Sequence, residues 1–141
     1  MNYLEIANND YNFLFNDVRR TSSNNNNCAT IAQQICEKLL KSIAGLKCAD
    51  ITILRTHNLK RIYDVIKDEI SISRENYLFL STLSDFYFDA RYPGDDFVLV
   101  SDEDIEMSFD VTKELHKVVN DWHNKRQGVL PEAFKDAISK I

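Results

Sequence analysis

Glycine and proline are scarce in this chain, three and two residues of 141. Breakers this rare, set between long periodic stretches, argue for an all-helical protein. No apolar run approaches bilayer-spanning length, and the opening Met1-Asn2-Tyr3-Leu4-Glu5-Ile6 lacks the basic and apolar regions of a signal peptide. A soluble, cytoplasmic protein with no membrane role is therefore expected. Cysteine is sparse too: Cys28, Cys36 and Cys48 form no close metal-ligand pair, and an odd count fits free thiols in a reducing compartment. Cys28 and Cys36 read as small core residues. There is no excess of positive charge. A net charge of −5 excludes a generic, whole-surface nucleic-acid binder and with it general DNA binding, while leaving room for a local basic patch.

Several chemistries are missing as well. Gly45, Gly94 and Gly128 are isolated, so no glycine-rich loop can cradle a phosphate. No Cys-His or Ser-His-Asp arrangement follows from spacing. His116 and His123 share a helix face, but metal-binding pairs are usually closer and no third ligand is positioned. The acidic run from Asp95 to Glu106 lacks the spaced oxygens and central glycine of a calcium loop. No metal and no cofactor is expected.

What remains is helical periodicity, in one domain over 1–141 with its core in 3–124. The most informative stretch is 73–96. Ser73 is a good N-cap, Glu75 suits the first turn, and Phe79, Leu83, Phe86 and Ala90 make a stripe that Tyr87 widens. Pro93 and Gly94 should stop this helix near Arg91, presenting Arg91 and Tyr92 before an acidic turn. The first helix is expected over 3–20, with Leu4, Ala7, Tyr11, Leu14 and Val18 on one face and Arg19 and Arg20 at its end. Residues 21–27 read as a polar loop whose last Asn caps a second helix over 28–45. That helix buries Ile31, Ile35, Leu39 and Ile43, keeps a Glu37–Lys41 pair outside, and takes Gly45 as C-cap. Residues 51–54 read as an apolar loop on the core, with a third helix from about Thr56. Ser101, with Asp104 three residues on, should open a long helix to about Asn124 that buries Ile105, Phe109, Leu115, Val118, Val119 and Trp122. Pro131 opens a short last helix over 131–141. The fold class is all-α: an up-and-down bundle of four to five helices plus a short C-terminal helix.

Four segments, in order, resemble the HEPN domain family. They are the run from Cys28 to Lys41 with its Ala32-Gln33-Gln34 and Glu37-Lys38, Thr56-His57-Asn58-Leu59, Arg91-Tyr92-Pro93, and an opening helix with Ala7 and Asp10. The resemblance covers about 3–122. It implies a helical bundle that often dimerises. Some members, the sacsin type among them, bind nucleotides; others partner small nucleotidyltransferases; others are RNA-cleaving toxins of toxin–antitoxin systems. The ribonuclease members carry an Arg, then four to six residues, then a His. His57, His116 and His123 all miss that spacing, and Arg55 and His57 are separated by one residue. The resemblance therefore points to the non-nuclease branch, not to an enzyme.

The candidate ligand-binding residues are Arg91, Tyr92, His57, Arg55, Lys38 and Lys41. Arg91 and Tyr92 offer a guanidinium for phosphate and a ring for a base. The plainer reading pairs Arg91 with Asp95 or Asp96. His57 opens a helix whose free amides could receive a phosphate, or else makes a capping or interhelical hydrogen bond. Lys38 and Lys41, with Arg55 and Arg61, form the best available basic patch, or a merely solvated face. The end of the fourth helix and the start of the third are expected to meet only off the alternating pattern, or with a second copy's help. A homodimer is expected because Phe13, Phe15, Tyr77, Phe88 and Phe97 fall outside the main stripes. Three functions follow: a nucleotide- or partner-binding module, an RNA-cleaving toxin with a rearranged Arg/His site, or an interaction module with no ligand.

Overall fold

The computed structural model of the protein describes residues 1–48 and 50–128. They form α1 (Tyr3–Asn12), α2 (Asn25–Lys47), α3 (Leu59–Ile66), α4 (Arg74–Asp89) and α5 (Asp102–Arg126), with no strand among the described residues. The bundle is all-helical, as read from the scarcity of breakers. The helix expected over 131–141 lies outside the described residues.

α2 is the axis and packs against each of the other four helices. Ala29, Ala32, Ile35, Cys36, Leu39, Leu40 and Ile43 are all buried along it. It starts a turn earlier than the sequence suggests, because the cap is not Asn27. Thr21 and Asn24 cap each other across a 3-10 turn over Ser22–Asn24, which runs straight into α2. The polar run is thus no loop, and its asparagines act as a clamp. Asn25 Nδ2 donates to the Val100 carbonyl (3.1 Å) and to Asp102 (2.7 Å). Asn26 donates to the Val98 carbonyl (2.8 Å) and accepts from the Val100 amide (2.8 Å). The connection between α4 and α5 is pinned to α2 this way. At the other end α2 passes through Gly45 to Lys47, so Gly45 is an interior residue, not a cap.

The first helix is shorter than its apolar stripe. α1 gives way to a wide π turn over Phe13–Asp17, and Val18 is extended. The wider turn buries Leu14 and brings Phe15 edge-on to Phe109 at 5.0 Å. Arg20 reaches Asn25 and Asp102 instead of sitting at a helix end. The segment Ile51–Arg55 is a 3-10 turn capped by Asp50, with Ile53 buried, where a loop was expected. α3 starts at Leu59, not Thr56, because Asn58 is the cap. Ser73 and Ser101 cap α4 and α5 as read. α4 ends at Asp89, two residues short of Arg91. Of the α5 stripe, Ile105, Leu115 and Val119 are buried, while Phe109, Val118 and Trp122 are half-buried against the core.

Cross-helix contacts fix the directions. Asn25 meets Asp102, Cys36 meets Thr112 and Ser42 meets His123, so α2 and α5 run in the same sense. Asn8 meets Asn120 and Phe15 meets Phe109, so α1 opposes them. α4 opposes α5, with Asn76 against Glu114. α1, α2, α4 and α5 thus alternate in chain order, and α3 is a two-turn insert. His57 beside Glu37 and Glu69 beside Lys47 show α3 running with α2. Leu59 beside Ser84 and Asp64 beside Tyr77 make α3 and α4 an antiparallel pair. The start of α3 therefore lies against the end of α4 within a single chain. The expectation that a second copy or an off-pattern packing would be needed is corrected: an antiparallel hairpin does this by itself.

Candidate ligand site where α3 begins and α4 ends

Gln33, Glu37 and Lys41 stand one above another on α2, at a spacing of four, on its buried side. The Glu37–Lys41 pair expected outside is inside, with side chains 11% and 5% exposed. Glu37 Oε1 accepts from Gln33 Nε2 (3.1 Å) and His57 Nδ1 (2.8 Å), and Oε2 accepts from Lys41 Nζ (2.9 Å). Burial pushes the Glu37 carboxyl up, but the hydrogen bonds from Lys41, His57 and Gln33, with the Lys41 charge, hold it below the usual carboxylate range. An ionised carboxylate only accepts, so His57 carries its hydrogen on Nδ1.

The other side of His57 is aromatic. Its ring stacks on Tyr87 at 3.9 Å and 15°, with Phe88 edge-on at 6.2 Å. The Arg91 guanidinium lies 4.7 Å from the Tyr87 ring and 5.2 Å from that of Tyr92. One column of contacts therefore runs Lys41–Glu37–His57–Tyr87–Arg91, from the core to the surface. Beside it opens a cleft of about 490 Å³, lined by Arg55, His57, Ser81, Asp85, Phe88 and Asp89 among others. Burial and the neighbouring Asp89 charge push the Asp85 carboxyl up.

The structure brings four of the six candidates to this end of the molecule: Arg55, His57, Arg91 and Tyr92. Arg91 has no ion pair with Asp95 or Asp96 and rests on ring faces instead. The other two candidates go elsewhere. Lys38 turns to α1 and pairs with Asp10 at 3.1 Å, and Lys41 is spent inward on Glu37. Arg61 reaches Thr52 Oγ1 at 3.4 Å. The patch of Lys38, Lys41, Arg55 and Arg61 does not assemble, because Lys38, Lys41 and Arg61 are each drawn to a different partner. The amides at the start of α3 are largely taken too. Leu59 N–H donates to Ser84 Oγ (2.8 Å), and Arg61 N–H to Asn58 Oδ1 (3.1 Å). A phosphate at that helix terminus would compete with the chain's own caps.

Sequence reasoning missed Glu37 and Asp85 here. Glu37 left a faint signal, as a carboxylate beside the apolar stripe of α2, but the i,i+4 lysine made it look solvated. The aromatic residues also sort differently from expectation. Phe13, Phe88 and Phe97 are exposed. Phe15 packs on Tyr11 at 4.5 Å, and Tyr77 packs on Tyr63 and donates to Asp64, so those two belong to the core. Leu99 (81% exposed), Val98 and Tyr92 instead join Phe88 and Phe97 around the connection after α4. His116 stacks on Tyr11 and His123 meets Ser42, so the two imidazoles serve different contacts.

The chain is a helical bundle with a row of polar residues on the buried side of α2 and a cleft beside His57 at its edge. The HEPN domain family model matches residues 2–122, and the chain belongs to the HEPN domain family. Searches of the curated proteins and of the solved structures give no match. No helix among the described residues is long and apolar enough to cross a membrane.

Proposed function

We propose that the protein is a non-catalytic HEPN module that binds a nucleotide at the α3–α4 cleft and works as a homodimer. The observation that carries the reading is the His57–Tyr87–Arg91 column, which sets an exposed cation on the ring that stacks on His57, a residue that lines the cleft together with Arg55. Arg55 and Arg91 would take the phosphates, and the exposed rings of Phe88 and Tyr92 offer faces for a base. Ser81, Asp85 and Asp89 are polar groups of the cleft that could meet ribose hydroxyls. The absence of an Arg-to-His spacing of the ribonuclease kind supports a binding role. His57 also has one ring nitrogen tied to Glu37 and a face covered by Tyr87. The exposed apolar set of Phe88, Phe97, Val98 and Leu99 supports self-association, or docking of a protein partner such as a small nucleotidyltransferase.

The test is calorimetric titration of ATP and GTP at low salt into wild type and Arg91→Ala, with sedimentation of the same samples. Losing one charge-assisted phosphate contact should weaken binding by roughly ten- to a hundredfold. Attraction from a local cluster on an acidic protein should also fall steeply with added salt. No heat with wild type, or equal affinities for the two proteins, would sink the nucleotide reading. A concentration-independent monomer would sink the dimer.

A further inference from the structure

A second cavity lies between the start of α1 and the ends of α2 and α5. It measures about 420 Å³, within the size range of small-molecule sites. Its polar lining is engaged within the chain. Asn2 caps α1 by accepting from the Glu5 amide (2.9 Å), Lys41 pairs with Glu37 (2.9 Å), and Ser42 meets His123 (2.8 Å). What stays uncovered is apolar: Leu4 and Leu54 are only partly buried, Leu46 is 54% exposed and Tyr3 38%. We propose that this cavity is a docking site for the chain's own segment 129–141, which folds back from Gly128 and seats Phe134 and Ile138 on the apolar wall.

The chain itself leads there. α5 ends at Arg126, Gln127 follows it and lines the cavity, and Gly128 has a φ of 76°. The Gly128 amide donates to the Lys125 carbonyl (3.2 Å). A left-handed glycine thus closes the helix end and turns the chain off the α5 axis at the cavity rim. Helix ends of this kind commonly bring an apolar residue just past the glycine back onto the last turn, and Val129 and Leu130 follow here. Pro131 suits a first helical position. Beyond it Phe134, Ala137, Ile138 and Ile141 have the spacing of one helix face, and such a face needs an apolar surface to cover it.

Reach separates this seat from the other exposed apolar set. A helix over 131–141 is about 16 Å long, whereas α5, with its 25 residues, runs about 37 Å from the cavity end to its start near Leu99. The segment can cover the near end of its own bundle and not the connection after α4. Tethering then favours the same chain over a second copy. A segment joined at the rim by a few residues acts at an effective concentration in the millimolar range, well above that of another molecule in a micromolar solution.

The test is paramagnetic broadening in the full isotope-labelled chain, with a nitroxide on Ser139→Cys and the partly exposed Cys48 changed to Ser; Cys28 and Cys36 are buried. The amides of Tyr3, Leu4 and Leu46 should broaden relative to the reduced nitroxide, and those of Phe97 and Leu99 should not. A tethered label meets the rim even when undocked, so two variants isolate the docking. Phe134→Ser with Ile138→Ser removes the stripe while leaving the bundle core untouched. Gly45→Leu fills the seat, since a Cβ there would meet only Leu54 Cδ2, at 3.9 Å. Each should reduce the broadening at Leu46 severalfold. A mixture of nitroxide-bearing chain without isotope and isotope-labelled chain without nitroxide should show none. Broadening at Leu46 that either variant leaves unchanged, broadening at Leu99 in place of Leu46, or broadening in the mixture, which would assign the seat to a second copy, would each overturn the proposal.

Discussion

His57 and Arg91 both lie against one tyrosine ring, yet they are held in different ways. His57 is gripped by a buried carboxylate 2.8 Å away and by the Tyr87 face at 3.9 Å. Arg91 is exposed, and its guanidinium touches only ring faces. The inner residue belongs to a charge network in which every member depends on the others. The outer one can leave its perch at little cost and turn to a ligand. Stability should therefore reside at the Glu37 end of the column, and recognition at the Arg91 end.

The sharpest way to break that contrast is to remove Glu37. Glu37→Ala leaves Lys41 as a buried ammonium without its anion and frees His57 and Gln33. Breaking a buried ion pair by deleting one partner costs about 3–5 kcal/mol, a large share of a small domain's stability. Urea unfolding should report a loss of that size. Removing the charges together, as Glu37→Leu with Lys41→Met, should recover most of it, because an apolar pair leaves no orphaned ion. A single-variant loss below about 1 kcal/mol would mean that water already reaches the network.

A smaller effect is expected from pH. Glu37 has its folded-state pKa lowered, so its contribution is present above the ordinary carboxylate value and is lost as pH falls through the folded value. His116 is lowered by burial, and His123 by burial and the Arg126 charge. The folded state thus prefers both imidazoles neutral, and this contribution fades as pH drops below the ordinary histidine value of about 6.5. Asp85 is raised and acts in the opposite direction. Unfolding free energy should start to fall below about pH 6.5 and fall more steeply below about pH 4.5. In Glu37→Ala the lower, steeper part should flatten. An identical slope in both proteins would show that other carboxylates control acid unfolding.

How much of this was legible in the sequence depends on whether a residue's partner is local. The caps at Ser73 and Ser101 were readable because a hydroxyl and an amide three residues on need no tertiary information. The stripe of α2 was readable for the same reason. The polar run over 21–27 looks like a loop in sequence because Asn25 and Asn26 bond to residues 72 to 77 positions away, which no local pattern announces. Glu37 and Lys41 look solvated in sequence because an i,i+4 pair normally decorates an outer face, whereas here the pair is buried and His57, from the segment before α3, closes on Glu37. Arg91 and His57 were visible as residues, but their meeting through Tyr87 follows from the antiparallel α3–α4 pairing, which periodicity alone does not give.

The smallest expected effect is the most discriminating for the outer end. An exposed cation over an aromatic face contributes about 0.5–1 kcal/mol, and two such contacts through one guanidinium are not additive. Arg91→Ala should therefore shift urea unfolding by about 1 kcal/mol or less, several times below Glu37→Ala. Arg91→Lys keeps the charge but loses the planar group that lies on Tyr87 and Tyr92, so it should be nearly as unstable as the alanine variant. If Arg91→Ala instead cost as much as Glu37→Ala, Arg91 would be a structural residue closing the end of α4. The column would then have no end free to engage a ligand, and a smaller cost leaves Arg91 available for phosphate.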